Sequence, residues 1–176
     1  MRRIDPDAGE ELGMGAIRTA ARALIVRDAR LLLTHCRSAK GEWYTAPGGG
    51  QVEGERLPET LARECREEIG AEVQVGRLRY VRDYIVRHHD FSYLKESAHQ
   101  LELFFECRVP ASYRAQNGPS PDAHQVGVIW ADAQALESLR VFPTRLRDVV
   151  APDAESRLPV YWGDGNWGDE NWGDEN

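Results

Sequence analysis

The chain has 176 residues, enough for one domain around a single hydrophobic core, and its 41% apolar and 29% charged content is that of a globular protein. No apolar run approaches the ~18 residues of a membrane helix, and the opening MRRIDPDAGEELGMGAI lacks the apolar stretch of a signal peptide. The expected setting is therefore cytoplasmic, with no membrane partner. The net charge of −7 is concentrated at one end: the last 16 residues hold Asp164, Asp169, Glu170, Asp174 and Glu175 and no Lys or Arg. Elsewhere 22 basic residues face 24 acidic ones, a balance that argues against a nucleic-acid surface. Cys36, Cys65 and Cys107 are odd in number and lack metal-ligand spacing, so they are expected to be buried free thiols.

In chain order, residues 1–15 read as a polar leader. Residues 17–26 and 31–36 are strand-like and joined by a short turn at Asp28-Ala29. Residues 41–57 are glycine-rich and loop-like. A helix is expected from about Pro58 to Ile69, with Pro58 at its first position, Glu59 in its first turn, and Gly70 as its C-terminal cap. Strands follow at 72–86 and 99–109, separated by the polar loop RHHDFSYLKESA. Residues 110–123 are loop, 125–130 a short strand, and 132–139 and 144–150 two short helices. Mixed strands around one long helix predict an α+β fold. Residues 162–176 read WGDGN, WGDEN, WGDEN, a repeat poor in helix and strand formers, so a disordered tail is expected over 161–176 after a domain at 16–160, the alternative being a tryptophan-bearing docking peptide for which the sequence names no partner.

The chemistry is concentrated in residues 48–71, GGGQVEGERLPETLARECREEIGA. Glu64, Glu67 and Glu68 stand at i, i+3 and i+4, so they project from one side of the helix. Like charges at that spacing cost roughly 0.2–0.5 kcal/mol per pair, a cost that a cation among them would remove. Magnesium suits such a group, being hard and partial to carboxylate, water and phosphate oxygen. At about 100° per residue, Glu68 falls only about 20° from Leu61, which with Cys65 and Ile69 forms the apolar stripe. A carboxylate at the edge of the buried face needs a partner. Arg63 lies four residues from both Glu59 and Glu67, and spacing leaves open whether it is a surface ion pair or orients a carboxylate. The run Pro47-Gly48-Gly49-Gly50 could bring backbone close to a metal or a phosphate, or simply turn the chain.

Taken together, this segment resembles the box of the Nudix hydrolase family: Gly49, five residues, Glu55, seven residues, Arg63-Glu64, two residues, Glu67-Glu68, one residue, Gly70 and an apolar residue. All seven fixed residues are present at the right spacing. A chance match is on the order of 10⁻⁹ per starting position. Cys65 and Ala71 are smaller than the usual aliphatics there. The resemblance runs from residue 17 to about 150 and includes Trp43-Tyr44 before the glycines and the late strand ending in Trp130.

The resemblance implies an α/β/α sandwich around a mixed β-sheet and hydrolysis of a diphosphate linkage in a nucleoside diphosphate derivative, a small-molecule partner. A homodimer is a compatible assembly. It implies Mg²⁺, with Mn²⁺ as an alternative, held by Glu64, Glu67, Glu68 and the Gly49 carbonyl, with Arg63 orienting the carboxylates. In some members a box glutamate is the general base, and in others the base or an extra ligand comes from an acidic residue in a later loop. Here that loop offers Asp122, with Glu102 and Glu106 on one face of their strand as further options. His88, His89, His99 and His124 are individually more often structural than catalytic. Val86 stands where ADP-ribose-specific relatives carry proline, and Arg87-His88-His89 replaces the tyrosine linked to dinucleoside polyphosphates. Two other readings are a sensing module that binds a nucleotide without cutting it, and an isoprenoid diphosphate isomerase, which the residues around Cys36 do not favour.

Overall fold

The first two strands, β1 (Arg18–Arg27) and β2 (Arg30–Ser38), form a hairpin whose turn residues Asp28 and Ala29 have φ of 52° and 54°. Left-handed residues at both turn positions match the twist of the strands they join. This computed structural model describes residues 16–89 and 98–164, so the expected leader, the middle of the histidine loop and the last two WGDEN repeats lie outside the described residues.

β1 and β2 pair only beside their turn, Val26 with Leu31 and Arg27 with Arg30. Beyond that they part and recruit different neighbours. β1 takes β4 (Gly48–Gly50) antiparallel and β6 (His99–Arg108) parallel, and β5 (Gln74–Ile85) adds antiparallel to β6. β2 takes β3 (Gly41–Thr45) and β7 (Gln125–Ala131), both antiparallel, and the two-residue β8 (Val141–Phe142) extends β3 in parallel. The mixed sheet therefore opens between β1 and β2.

Helical elements cover both faces, as expected of an α/β/α arrangement. On one side α1 (Leu57–Ile69) buries Leu61, Cys65 and Ile69 against Ala21, Ala23 and Ile25 of β1, Leu32 of β2 and Cys107 of β6. The inward stripe is the one read from the 3.6-residue period, and each large aliphatic in it contributes on the order of 1.5–3 kcal/mol. On the other side Leu24, Leu31, Leu33 and Phe104 pack on Leu136 of α2 (Ala133–Ser138), Leu146 of a 3-10 turn (Thr144–Arg147) and Ala154 of α3 (Ala154–Arg157). All three cysteines are buried and free. Among the described residues no helix is long and apolar enough to cross a membrane.

Three sequence expectations need correction. The stretch 41–57 is not all loop, because β3 and β4 lie within it. β4 is three glycines whose pairing with β1 is purely backbone, so it carries no alternation of side chains to read. The helix expected at 144–150 is a single 3-10 turn at Thr144–Arg147. The boundary after Val160 also falls short of the packed chain. Tyr161 forms a parallel bridge to Val81, and Trp162 is 3% exposed, its ring stacked on Tyr80 at 4.4 Å. An aromatic of that size buries enough area to hold a short segment that its polar neighbours would not.

A chain ending at Val160 is therefore expected to melt several degrees below the full protein, since it loses a buried aromatic, whereas a chain ending at Asp164 keeps its midpoint. Thermal melts of the two truncations decide it, and equal midpoints would mean that Trp162 adds nothing to the core.

Candidate active site

The site is built on α1, whose ends are fixed by its own sequence. The Arg56 backbone N–H donates to the Glu59 carboxylate at 2.8 Å at the start, and Gly70 closes the helix in the left-handed conformation. This sets the rotation of the helix, and with it the direction of each glutamate. Glu68 is buried at 4% exposure, as its place beside the Leu61 stripe implies, and it accepts the Gly48 N–H at 2.8 Å. Glu64 faces the next residue of β4, where a Cβ on Gly49 would lie 2.7 Å from its carboxylate. Glu67 is further out, its side chain 43% exposed.

Arg63 does not pair with Glu59, which is taken by Arg56 at 2.7 Å. It instead ties the glycine strand to the helix. Its guanidinium donates to Glu55 at 2.7 and 3.0 Å, to Glu64 at 2.6 Å and to the Gly50 carbonyl at 3.2 Å, and it lies 3.7 Å from Glu67. The bond from Arg63, supported by the Thr60 hydroxyl and the Val52 N–H, outweighs burial and pushes the Glu55 carboxyl down to about 2. Glu55 is thus an anchor for Arg63, at the opposite end of the guanidinium from the site.

Asp122 reaches this region because its loop is tied to the last turn of α1. The helix leaves carbonyls unpaired there. Gly118 N–H donates to the Glu68 carbonyl at 2.8 Å, Ser120 N–H to the Glu67 carbonyl at 3.0 Å, and the Tyr113 hydroxyl to the Ile69 carbonyl at 3.0 Å. Gln125 adds a side-chain N–H to the Glu68 carbonyl at 2.7 Å. Only glycine fits at 118, since a Cβ would stand 2.2 Å from the Glu67 carbonyl oxygen. The loop then carries Asp122 into the same cavity as Glu68.

That cavity, of about 240 Å³, occupies the opening between β1 and β2. Gly48–Gly50 form one wall, with Glu68 and Asp122 beside them, and Arg18, Gln100 and Trp43 reach it from other strands. Burial, then the charge of Asp122, push the Glu68 carboxyl up to about 8, against the Gly48 N–H and Arg22. Burial also raises Glu64, opposed by Arg63 and reinforced by Asp122 and Glu67. Acids that resist ionisation together are what a divalent cation relieves, and every donor here is a hard oxygen, so the residues fit magnesium. Among the described residues no three acidic, histidine or cysteine groups already converge as a metal cage. Glu68 and Asp122 share the cavity, while Glu64 is drawn to Arg63.

The other acidic options separate. Glu102 is buried on β6 between Arg22 at 3.0 Å and Arg82 at 3.6 Å and accepts from Gln100 at 3.0 Å. Burial opposes its ionisation, but Arg82 and Arg22 prevail and hold its carboxyl below the usual range. Glu106, further along the same face, pairs with Arg77 at 3.3 Å at the far end of the strand. Of the histidines, His88 and His89 hold Asp164, His99 holds Asp83 at 2.7 Å, and His124 packs edge-on to Trp43 at the cavity. Arg18, Arg22, Gln100 and Gln125 are cavity residues that sequence reasoning did not select. A signal existed for Arg22, a lone charge inside the apolar strand TAARALIV that is 7% exposed.

Comparison with known proteins gives a consistent picture. The NUDIX domain family profile matches residues 16–151. No curated protein matches the chain. A solved UDP-X diphosphatase superposes with a TM-score of 0.62 at 16% identity, covering 85% of this chain and 68% of its own. A MutT NUDIX hydrolase from Burkholderia pseudomallei gives 0.55 at 24% identity, covering 75% and 95%. An ADP-ribose pyrophosphatase from Streptococcus suis gives 0.52 at 17%, covering 84% and 98%.

In chelator, the raised Glu68 carboxyl makes stability fall with rising pH. The folded state holds this proton more tightly than the unfolded chain, whose carboxyl titrates near 4.5. Its stabilising contribution is complete below about 4.5 and is lost as pH rises toward about 8. Wild type should therefore lose thermal stability relative to Glu68→Gln across that window, since glutamine can keep the Gly48 bond and does not titrate. Parallel melting curves for the two proteins from pH 5 to 8 would contradict the burial of an ionisable Glu68.

Proposed function

Because the chain belongs to the Nudix family, we propose that it is a pyrophosphohydrolase that uses a divalent cation, Mg²⁺ or Mn²⁺, to split the diphosphate linkage of a nucleoside diphosphate derivative. The observation that carries this reading is the pairing of buried Glu68 with Asp122 in one cavity against the glycine strand β4. Two acids beside a strand that presents only backbone suit a bound cation and phosphate oxygens better than they suit a solvated surface. The neighbours named for UDP-X and ADP-ribose support a nucleoside diphosphate joined to a second group.

In this reading Glu64, Glu67, Glu68 and the Gly49 carbonyl hold the cation. The bound cation would neutralise diphosphate oxygens and lower the pKa of a water. Arg63 acts as a positioning residue. It is anchored on Glu55 at 2.7 Å and holds Glu64 at 2.6 Å, so the carboxylate is oriented before substrate arrives. Asp122 is the proposed general base. It accepts a proton from the water that attacks one phosphorus, and the bond from that phosphorus to the bridging oxygen breaks, leaving two phosphate products. The cavity of about 240 Å³ suits the diphosphate and one flanking group, with the remainder of the substrate at its mouth. Buried free thiols at Cys36, Cys65 and Cys107 support a reducing, cytoplasmic setting.

A panel of nucleoside diphosphate derivatives incubated with Mg²⁺, with products identified by mass, tests the activity. Cleavage is expected between the two phosphorus atoms and is expected to stop in excess chelator. Binding of a panel member without cleavage would instead identify a sensing module. For the best substrate, Asp122→Asn is expected to slow turnover by ~10²-fold or more with a much smaller change in KM, the pattern of a group needed in the transition state. Turnover within about threefold of wild type would return the base role to Glu64 or Glu67.

A further inference from the structure

The C-terminal end of the described chain occupies a defined seat on the outer edge of β5. Val81 N–H donates to the Val160 carbonyl and Trp162 N–H to the Val81 carbonyl, both at 2.8 Å, and Asp83 N–H donates to the Gly163 carbonyl at 3.0 Å. These bonds use backbone only. Three features of the segment are read specifically. The Trp162 ring is buried, stacked on Tyr80 at 4.4 Å with Phe104 at 5.0 Å. Gly163 sits at φ +60°, the left-handed conformation that other residues adopt at a cost. The Asp164 carboxylate accepts the Ile85 N–H at 2.8 Å and meets His88 at 2.7 Å and His89 at 2.8 Å.

Trp, Gly and Asp are also what the repeats share. WGDGN is followed by WGDEN and WGDEN, and the only position that changes is the fourth, just past the carboxylate that the histidines hold. The asparagine is common to all three and lies outside the described residues. The seat is thus matched to a Trp-Gly-Asp unit, and two more of them follow in the sequence at five-residue intervals. We propose that this face of β5 is a Trp-Gly-Asp binding site and that the second repeat of the same chain, Trp167-Gly168-Asp169, seats there when the first does not, with Trp172-Gly173-Asp174 as a further equivalent.

A shift of five residues is physically modest. Gly165 and Asn166 would stand where Val160 and Tyr161 stand, and their peptide groups can accept and donate the same strand bonds. What is lost is the hydrogen bond from the Tyr161 hydroxyl to Asp83, so the first repeat is preferred. Lengthening the connection beyond Leu158 by five residues adds little, because closure entropy grows only with the logarithm of loop length. The seat also matters for the cavity. It fixes β5 on either side of Arg82, which lies 3.6 Å from Glu102, and Glu102 in turn holds Arg22 at the cavity wall at 3.0 Å. Redundant repeats would keep that wall braced when one of them detaches.

The test compares full-length variants by thermal melting: Trp162→Ala, the pair Trp167→Ala and Trp172→Ala, and all three together. The pair is expected to melt like wild type. Trp162→Ala alone is expected to lose no more than about 3 °C, and the triple variant at least about 6 °C, the scale of removing one buried aromatic from a domain this size. If Trp162→Ala alone loses as much as the triple variant, or fails to fold while the pair folds, the later repeats do not reach the seat and the proposal is wrong. The series Asp164→Asn against Asp164→Asn with Asp169→Asn and Asp174→Asn repeats the comparison with the indoles intact, with the larger loss again expected only when all three carboxylates are gone. Sedimentation of Trp162→Ala at increasing concentration is expected to show an unchanged mass. A mass that rises with concentration would mean that repeats seat between copies, overturning the assignment to the same chain.

Discussion

The burial of Glu68 is the constraint around which the site is arranged. A carboxylate at 4% exposure is unfavourable unless its surroundings answer it. The protein supplies one N–H, from Gly48, and then places a second acid, Asp122, in the same cavity. That second choice makes the cation-free state worse, since the charge of Asp122 adds to burial in raising the Glu68 carboxyl. A fold that spends stability in this way is poised to gain it back from a cation, which links the geometry of α1 to the chemistry proposed for the cavity.

The rest of the architecture serves that placement. β1 and β2 separate after two residue pairs, and the gap they leave is the cavity. β4 can be three glycines because its role is to bring peptide groups against Glu64 and Glu68, where side chains would not fit. The 110–124 loop uses the unpaired carbonyls at the end of α1 as its attachment points, so one helix terminus sets both the box glutamates and the later acid. On the opposite sheet face, Arg22, Glu102 and Arg82 form a buried charge chain that connects the cavity wall to β5 and the docked Trp162 segment.

What could be read from the sequence is what local periodicity and caps encode. The α1 stripe, its start near Pro58, its end at Gly70 and the inward lean of Glu68 all follow from spacing along one helix, and the structure has each of them. The hairpin turn at Asp28-Ala29 is legible for the same reason. β4 and β8 are not, because one has no side chains to alternate and the other is two residues long. The adjacency of Asp122 to Glu68 depends on contacts across some fifty residues, and nothing near Asp122 announces them. The buried role of Glu102 was equally hidden, since its partners Arg22 and Arg82 come from two other strands. Composition also misled at Trp162, where a low-complexity repeat contains one unit that completes the core.

Direct binding of Mn²⁺ to the substrate-free protein tests the proposed cation site around Glu68 without reference to any substrate. Titration followed by loss of the free-ion EPR signal should reveal at least one site in the wild type. That site should be strongly weakened by Glu68→Gln and much less by Asp122→Asn, which removes a neighbouring charge but no ligand, with the fold of each variant checked by its melting curve. Mn²⁺ binding of equal strength in wild type and Glu68→Gln would mean that Glu68 is no part of a cation site.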